Sequence, residues 1–344
     1  MTYVKGSLFV RKSLKEWYVI NARNLPWREK PSVYGIWLSE IILQQTRMST
    51  GIPKWHLFIK LFPTVNDLAA ATEDQVLKAW EGLGYYRRAR LLHQASSIIQ
   101  ANKVFPNSYK EWMEIPGVGA YTAAAISSIS KREAIAAVDG NVQRVIARWA
   151  GVKSQVNTRH GSKLIQIVAD SWLDQADPGT HNQAVMELGS LVCKPNKPRC
   201  EDCPISKDCE SANQPDLWSV LPNKKPSRPI QQVNLSWHVV RFKDFIVFTR
   251  MPKDGVWGNL WVFPETQPNE RFVSRSPSMK PATHLLTHRK IKSKFYFWNA
   301  PTKSCLLDYA LRVHGEIFSI QELNTLAMPR LITKHLLSII DTSD

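Results

Sequence analysis

Residues 115–119 read Ile-Pro-Gly-Val-Gly and lie between two segments in which apolar residues recur three and four positions apart. Gly117 and Gly119 allow a tight turn, and they leave backbone N–H groups unpaired where the second helix begins. Such a helix start attracts anions because the helix dipole is positive there. The stretch therefore predicts a helical hairpin that grips a phosphate through its backbone, with a plain turn between two helices as the alternative.

The same helical periodicity extends over residues 7 to about 210, where Pro and Gly separate the segments and no long β-like alternation occurs. A basic stretch with four prolines follows and predicts an extended linker over residues 213–231. The apolar period then changes to two, and a last helix is predicted over residues 331–340. The sequence thus predicts an all-α domain over residues 1–212, the linker, and a smaller α+β domain over residues 232–344.

The charge of the chain indicates the class of its partner. Lys and Arg exceed Asp and Glu by enough to give a formal net charge of +16. An excess of this size favours a polyanion, most commonly nucleic acid, over a merely soluble basic protein. No apolar run is long enough to cross a bilayer, and residues 1–10 lack a signal peptide, so an intracellular protein is expected.

Four of the five cysteines, at positions 193, 200, 203 and 209, have the spacing C-x6-C-x2-C-x5-C. Clustered cysteines in an intracellular chain bind metal more often than they form disulfides. Zinc sites usually use two close cysteine pairs, and only Cys200 and Cys203 form one here, so the spacing favours an iron–sulfur cluster. Three cations lie between the first two cysteines, and they would either contact phosphate or offset the charge of the cluster: Lys194, Lys197 and Arg199.

Two carboxylates have surroundings that suit a reaction. Glu40 lies in the stretch Trp-Leu-Ser-Glu-Ile-Ile-Leu, and Asp139 precedes Gly140 and Asn141. Taken singly, Glu40 reads as a solvent-facing helix residue and Asp139 as a helix N-cap. Taken together they suit cleavage of an N-glycosidic bond, which needs an acid for the leaving base and an anion beside the sugar cation. An apolar setting would raise the pKa of Glu40, whereas Asp139 in a wetter loop would stay ionised.

The hairpin, residues 138–142 and the four cysteines resemble the helix-hairpin-helix DNA glycosylase superfamily, in its endonuclease III-like branch. Further motifs match the MutY-type adenine DNA glycosylases, in the same order and over nearly the whole chain. They are Leu-Pro-Trp-Arg at 25–28, Ser-Glu at 39–40 running into Leu-Gln-Gln-Thr at 43–46, Trp-Glu-Gly-Leu-Gly-Tyr-Tyr at 80–86, Asn-Gln at 182–183 and Glu-Leu-Gly at 187–189.

This resemblance implies a monofunctional base-excision-repair enzyme. It would hydrolyse the N-glycosidic bond of adenine mispaired with 8-oxoguanine or guanine in double-stranded DNA and would leave an abasic site. The protein would be a cytoplasmic monomer, associated with the nucleoid when bound to DNA. A 4Fe–4S cluster would be its cofactor, held by Cys193, Cys200, Cys203 and Cys209.

The resemblance also implies roles for matching residues. Glu40 would protonate the leaving adenine, and Tyr121 would lie beside the reacting sugar. Asp139, steadied by Asn141, would stabilise or trap the sugar cation. The residues implied to contact DNA are Arg28 and Gln183 at the flipped adenine, Gln45, Leu83 and Tyr85 in the base stack with Thr46 nearby, and Gly117 and Gly119 in the hairpin.

The C-terminal domain resembles the Nudix-like module with which the family senses 8-oxoguanine, because residues 255–264 match the opening of that module. True Nudix hydrolases continue with an Arg-Glu-rich helix that binds magnesium, and residues 265–282 lack this pattern. The sensing turn of the family commonly reads Phe-Ser-His. In this chain the corresponding residues are Leu286, Thr287 and His288, so the histidine and a hydroxyl are kept and the aromatic is not.

Three other functions are weighed against this one. An endonuclease III-like bifunctional glycosylase would attack the sugar with a lysine two residues after the hairpin, and that position is Tyr121 here. A non-catalytic damage-binding protein would not need Glu40 and Asp139 in their full motifs. A Nudix nucleotide hydrolase is disfavoured because the acidic helix is missing.

Overall fold

The computed structural model describes residues 7–214, 216–226, 229–275, 281–286 and 288–336. They divide into two compact units. The helical unit holds the described residues of Met1–Ala69 and Gln94–Pro226, and the sheet unit holds those of Ala70–His93 and Ser227–Asp344. The sequence prediction placed residues 70–93 in the helical domain, whereas their contacts group them with the sheet.

Within the described residues, the chain up to Val220 forms fourteen α-helices and no β-strand, as the periodicity predicted. The helices are α1 (Ser7–Asn21), α2 (Pro26–Glu29), α3 (Val33–Leu43), α4 (Met48–Leu61), α5 (Val65–Ala70), α6 (Glu73–Ala79), α7 (Arg87–Asn102), α8 (Tyr109–Met113), α9 (Ala120–Lys131), α10 (Gly140–Trp149), α11 (Arg159–Trp172), α12 (Pro178–Leu191), α13 (Glu210–Asn213) and α14 (Leu217–Val220). Short 3-10 helices lie among the cysteines at Cys200–Asp202 and Ser206–Asp208. The predicted linker is not wholly extended, because α14 lies within it.

The predicted hairpin consists of α8, a turn and α9. Gly117 lies in the turn with φ of +81°, which glycine adopts without strain. Ser108 begins α8 by accepting a hydrogen bond from the Glu111 amide at 3.3 Å. Most side chains of α9 between residues 122 and 128 are small and buried, and α9 packs on α3 and α12. Small side chains therefore bring α9 close to the helices that carry the candidate active-site residues.

One hydrophobic core of the helical unit lies between α1, α10, α11 and α12. Trp149 on α10 and Trp172 on α11 meet edge to face with their ring centroids 4.9 Å apart. Helix α12 approaches α10 so closely that a Cβ at Gly189 would lie 2.8 Å from Asn141 Cβ. Because position 189 is a glycine, α12 can pack directly against the start of α10, where Asp139 and Asn141 lie.

The described residues of the sheet unit form a seven-stranded mixed sheet in the order β3-β2-β1-β6-β4, with β5 also on β6 and β7 also on β2. The strands are β1 (Gln231–Phe242), β2 (Phe245–Arg250), β3 (Trp261–Val262), β4 (Val273–Arg275), β5 (Ala282–Leu285), β6 (Arg289–Asn299) and β7 (Glu316–Ser319). The two long strands β1 and β6 are parallel and run in register from the pair Gln231 and Arg289 to the pair Arg241 and Asn299. Helix α15 (Lys303–Arg312) packs on β1 and β2, so the predicted α+β class is confirmed.

The last elements that the structure describes are a 3-10 helix at Ile320–Thr325 and the short helix α16 (Arg330–Thr333). The helix predicted over residues 331–340 is interrupted after Thr333 by a turn at Lys334 and His335, and residues 337–344 lie outside the described residues. Among the residues that the structure describes, no helix is both long and apolar enough to span a membrane.

Candidate active site

One cavity of about 940 Å³ lies in the helical unit, and eight of the predicted site residues line it. Ligand pockets of proteins commonly have volumes in the range of about 300–1,000 Å³. The eight residues come from different helices and loops and are Arg28, Glu40, Gln45, Thr46, Tyr121, Asp139, Asn141 and Gln183. The fold thus brings together side chains that lie up to 155 positions apart in the chain, as in the bond between Arg28 and Gln183.

Glu40 lies on α3, a helix with eight of its eleven residues buried. Ser32 begins this helix by accepting a hydrogen bond from the Gly35 amide at 3.0 Å. The pKa of Glu40 is raised to about 7, chiefly by burial and also by the charge of Asp139, while a hydrogen bond from Tyr121 and the charge of Arg28 limit the shift. The reading of Glu40 as a solvent-facing residue is therefore wrong. Near neutral pH its carboxyl exists in both protonation states and can donate a proton into the cavity.

Tyr121 lies in the first turn of α9 and lines the same cavity. Its hydroxyl interacts with the Glu40 carboxyl and lies 3.6 Å from Met186 Sδ. Burial raises the pKa of Tyr121 well above its ordinary value, and the charges of Glu40 and Asp139 add to the shift. The phenol therefore stays protonated and serves as a hydrogen-bond donor.

Asp139 is the N-cap of α10, as its sequence pattern predicted. Its Oδ1 accepts hydrogen bonds from the amides of Asn141 at 2.8 Å and Val142 at 2.7 Å. Burial raises the pKa of Asp139, and the hydrogen bonds from Val142 and Asn141 and the charge of Arg144 oppose this shift. The wetter setting expected for this carboxylate is not observed, since the residue is largely enclosed. Donors at the start of the helix stabilise its ionised form instead.

Arg28 and Gln183 form one partly buried network with two residues that the sequence reasoning did not assign. Arg28 Nε donates to Gln183 Oε1 at 2.8 Å, and its Nη2 donates to Glu187 Oε2 at 3.1 Å. Arg23 also donates to Glu187, from Nε at 2.6 Å and from Nη2 at 2.9 Å. Burial would raise the pKa of Glu187, but both arginines outweigh it and lower the pKa. Glu187 follows Gln183 by four positions on α12, and this spacing placed both on one helix face.

Gln45 and Thr46 lie in the tight turn that follows α3. Gln45 has φ of +55°, which is uncommon for a residue other than glycine. The Thr46 amide closes the turn by donating to Leu43 O at 3.1 Å. The side chain of Gln44 donates to Thr122 Oγ1 at 3.2 Å and so ties this turn to α9.

Gly117 and Gly119 are exposed on the surface of the helical unit. Gly119 is the N-cap of α9, and no side chain caps this helix. A Cβ added at Gly119 would meet no atom within 4 Å. The start of α9 is therefore open to an external anion.

Leu83 and Tyr85 belong to the sheet unit, in the loop between α6 and α7. Tyr85 is 45% exposed, whereas Leu83 is only 7% exposed. Three residues of this loop have left-handed backbones, with φ of +90° at Gly82, +68° at Gly84 and +48° at Tyr85. Trp80 Nε1 donates to Gly84 O at 2.9 Å, so the side chain before the loop holds its backbone.

The predicted sensing turn connects β5 to β6. The Leu286 amide donates to Arg289 O at 2.8 Å, which closes the turn, and His288 is exposed. Thr287 lies outside the described residues.

The four clustered cysteines line a second, small cavity of about 30 Å³ in the helical unit. The pKa of Cys203 is raised to about 12 and that of Cys209 to about 11, chiefly by burial and also by the neighbouring cysteines. Holding thiolates there therefore needs a compensating positive centre. Among the described residues, no group of three or more His, Cys, Asp or Glu side chains could hold a single metal ion. The four thiols that line this one cavity are a donor set of the kind that holds zinc or an iron–sulfur cluster.

Arg148 organises this cysteine loop and was not found by sequence reasoning. Its Nη1 donates to Lys194 O at 2.6 Å and lies 3.6 Å from Cys193 Sγ. Its Nη2 donates to Pro195 O at 2.7 Å and to Trp218 O at 2.8 Å. Arg148 lies in the last turn of α10, and the sequence carries no signal of this role because its partners are backbone carbonyls distant in the chain.

The chain is similar to known proteins of DNA repair. Residues 38–168 match the family model of the HhH-GPD superfamily of base excision DNA repair proteins. The adenine DNA glycosylase of Buchnera aphidicola subsp. Baizongia pistaciae is 32% identical over 82% of this chain and 84% of its own length. The adenine DNA glycosylase of Homo sapiens is 31% identical over 80% of this chain and 62% of its own length.

A solved structure of a thermostable thymine-DNA glycosylase superposes with a TM-score of 0.56 and 25% identity, covering 61% of this chain and 98% of that one. The matched residues contain Glu40, the hairpin and Asp139. The chain therefore belongs to the adenine DNA glycosylase family, within the HhH-GPD superfamily of base excision DNA repair proteins.

Proposed function

We propose that the protein hydrolyses the N-glycosidic bond of adenine mispaired with 8-oxoguanine or guanine in duplex DNA and leaves an abasic site. The observation that carries this proposal is the pairing of Glu40, with a pKa raised to about 7, and Asp139 in the wall of one cavity. Relatives that cover most of the chain are named adenine DNA glycosylases. DNA glycosylase chemistry needs an acid and an anion of this kind.

Glu40 supplies the proton for the leaving base. Its carboxyl is protonated in a large fraction of molecules near neutral pH because burial disfavours the charged form. A neutral adenine leaves the sugar far more readily than an adenine anion, so protonation lowers the barrier. Tyr121 lies against the same carboxyl and keeps its orientation in the cavity.

Asp139 supplies the negative charge for the sugar cation. Asn141 Nδ2 donates to Asp139 Oδ2 at 2.8 Å, and the amides at the start of α10 donate to Oδ1. The carboxylate is thus held in one orientation before the reaction starts, and such preorganisation is what makes an electrostatic contribution effective. Water then adds to the sugar, and an abasic site remains.

Arg28 and Gln183 bind the flipped adenine in this proposal. Glu187 and the carbonyl oxygen of Arg23 hold the guanidinium of Arg28, so its orientation is fixed without substrate. The adenine must leave the base stack before Glu40 can reach it, which costs a few kcal/mol. Gln45, Leu83 and Tyr85 would enter the stack and offset part of this cost.

Double-stranded DNA is the proposed partner, bound by a monomer. The net charge of +16 favours a polyanion, and the uncapped start of α9 offers backbone amides to a phosphate. Lys194 and Lys197 are exposed on the cysteine loop and offer further charge to the DNA backbone. Offsetting the charge of the cluster remains the alternative role of these lysines.

The four cysteines would hold a 4Fe–4S cluster, which supplies a compact structural centre when it is bound. Arg148 holds the loop between the first two cysteines from inside, and this loop carries Lys194 and Lys197. The chain itself therefore contributes a shaped, cationic loop next to the cluster.

The C-terminal sheet is proposed to be a Nudix-like module that senses the base opposite adenine. 8-Oxoguanine carries an N–H donor where guanine has a ring acceptor, so the turn at 286–288 can tell the two apart by one hydrogen bond. Such a bond contributes on the order of 1 kcal/mol. The missing aromatic at Leu286 leaves the hydroxyl and imidazole of this turn as the discriminating groups.

The proposal is tested by incubating the purified protein with duplexes that carry adenine opposite 8-oxoguanine, guanine, cytosine or thymine. We expect release of adenine from the first two duplexes, with strand breakage only after alkali. Borohydride should capture little covalent product, because Tyr121 cannot form a Schiff base. Release of oxidised pyrimidines, or efficient borohydride capture, would contradict the proposal.

A further inference from the structure

Residues 73–90, which include α6, are fastened to the C-terminal sheet by side chains within the sheet unit. Arg250 at the end of β2 forms a two-pronged pair with Asp74, with both N–O distances at 2.6 Å. Its guanidinium also lies 3.9 Å from the ring centroid of Trp261 on β3. Asn259 Nδ2 donates to Glu73 Oε1 at 2.6 Å. Bidentate, stacked arginine pairs hold geometry better than ordinary surface ion pairs.

Tyr86 links the loop of residues 82–86 to the C-terminal part of the sheet unit. Its side chain is 4% exposed, and its hydroxyl donates to Met328 O at 3.3 Å. The same phenol oxygen is hydrogen-bonded to the backbone of Gly82. One hydroxyl therefore joins the first residue of the loop to a fully buried residue near the C-terminal end of the described chain.

Lys78 makes a second link to the same C-terminal stretch. Its Nζ donates to Leu326 O at 3.2 Å and pairs with Glu81 Oε2 at 2.7 Å. Residues 326–328 are buried, so both links end on a fixed part of the sheet unit.

The conformation of the loop needs such support. Left-handed backbones at Gly82, Gly84 and Tyr85 persist only where the surroundings determine them, and for Tyr85 the conformation is unfavourable by itself. Arg88 Nη2 donates to Leu83 O at 3.1 Å and to Gly84 O at 3.3 Å. These contacts set the backbone from which the exposed ring of Tyr85 projects.

We propose that Tyr86 is a positioning residue, which couples residues 326–328 to the Gly82–Tyr85 loop and so holds Tyr85 ready to enter the base stack. This inference rests on the proposed function, in which the loop helps to extrude adenine. The C-terminal part of the chain then has two functions. It senses the base opposite adenine, and it supports base extrusion at every mispair.

The first arm of the test uses the full chain without DNA. Tyr86→Phe removes only the hydroxyl, and Tyr309→Phe is the matched control because Tyr309 donates to Thr266 O elsewhere in the same unit. Amide hydrogen exchange at residues 82–84 should become roughly 5- to 10-fold faster in Tyr86→Phe and stay unchanged in Tyr309→Phe. Lys78→Met removes the neighbouring hydrogen bond from Lys78 to Leu326 O. It replaces Tyr86→Phe as the test variant if Tyr86→Phe does not fold.

The second arm measures base extrusion. A duplex with 2-aminopurine beside adenine opposite 8-oxoguanine reports unstacking by its fluorescence, and single-turnover release of adenine reports the outcome. With Tyr86→Phe we expect a smaller fluorescence rise at saturating protein and an excision rate roughly 5- to 10-fold lower, with DNA affinity and melting temperature as in Tyr309→Phe. The same loss is expected for adenine opposite guanine.

The two arms separate the inference from the proposed function. Unchanged exchange at residues 82–84 in Tyr86→Phe, or equal losses in both phenylalanine variants, would overturn the inference. Faster exchange with normal unstacking and excision would overturn it as well, because the loop would then not act in extrusion. If the wild-type protein released no adenine from any duplex, the proposed function would fail, and the exchange arm would still decide whether Tyr86 supports the loop.

Discussion

The side-chain amide of Asn141 donates to Asp139 Oδ2 at 2.8 Å, while the backbone amide of the same asparagine donates to Oδ1 at 2.8 Å. One residue therefore satisfies both oxygens of the carboxylate. Arg144 Nη2 in turn donates to Asn141 Oδ1 at 2.9 Å, which fixes the orientation of the amide group. This chain of contacts orients the Asp139 carboxyl in the wall of the cavity and opposes the effect of burial, which raises its pKa.

Replacing Asp139 by asparagine should separate catalysis from stability. Asparagine is as good an N-cap as aspartate, so we expect the free energy of unfolding to change by less than about 1 kcal/mol. Adenine release should fall by at least about 100-fold, because a neutral amide cannot balance the sugar cation. Urea unfolding and single-turnover excision measure the two effects, and excision at the wild-type rate would remove Asp139 from the mechanism.

Glu40→Gln should change how stability depends on pH. The folded protein keeps the proton on Glu40 up to about pH 7, whereas the unfolded chain releases it near the ordinary pKa of 4.5. Raising the pH through this window therefore destabilises the wild type, and the shift corresponds to at most about 3 kcal/mol. The variant lacks this penalty, so its stability relative to wild type should rise between pH 4 and pH 8.

Urea unfolding at several pH values checks this prediction. Glu29→Gln is the control, because Glu29 is exposed on α2, and it should follow the wild type. A difference between Glu40→Gln and wild type that stays constant from pH 4 to pH 8 would show that Glu40 titrates as an ordinary carboxyl.

Glu187→Gln should weaken both the fold and the adenine pocket. The change removes the negative charge that Arg23 and Arg28 share, and Glu187 is only 1% exposed. Because the arginines keep some contact with solvent, we expect a loss of about 2 kcal/mol in unfolding free energy. Arg28 also loses its fixed orientation, so the apparent affinity for adenine-containing duplex should fall.

The matched control for this prediction is Glu16→Gln. Glu16 Oε1 lies 4.0 Å from Lys12 Nζ on the exposed face of α1. Loss of this ion pair should lower the free energy of unfolding by less than about 0.5 kcal/mol. Equal effects of the two substitutions on stability and DNA affinity would mean that the network does not organise the pocket.

If the four clustered cysteines hold a 4Fe–4S cluster, the purified protein should be coloured. Purified without chelators it should be yellow-brown, with iron and acid-labile sulfide in equal amounts, and Cys203→Ser should lose most of both. Cys305→Ser is the control, because Cys305 lies on α15 in the sheet unit. Stoichiometric zinc without labile sulfide, or equal metal loss in both variants, would contradict the 4Fe–4S assignment.

The local features of the fold could be predicted from sequence because neighbouring residues determine them. Glycines at 117 and 119 marked the hairpin, a change of period marked the transition from helices to sheet, and Asp139 before Gly140 marked the start of α10. The cysteine spacing also marked a group of thiols that the structure places around one cavity.

Contacts between distant residues could not be predicted in the same way. Arg148 binds four backbone carbonyls that no side-chain pattern reveals, and residues 70–93 join the sheet through single bonds such as that from Asn259 to Glu73. The surroundings of Asp139 depend on the packing of α12 against α10, which are distant in the chain. The sequence around Asp139 carries no signal of this contact and therefore predicted a wetter loop. Helix α14 forms inside a proline-rich stretch, where composition alone predicted an extended chain.

The claim that Glu40 protonates the leaving adenine is tested most directly by single-turnover release of adenine opposite 8-oxoguanine, with saturating Glu40→Gln protein. The amide keeps the shape of the side chain and loses the acid, so the loss should fall on the transition state and leave duplex binding intact. We expect wild-type affinity for the duplex and release of adenine slowed by roughly 100-fold or more. Release within a few-fold of the wild-type rate would rule out Glu40 as the proton donor.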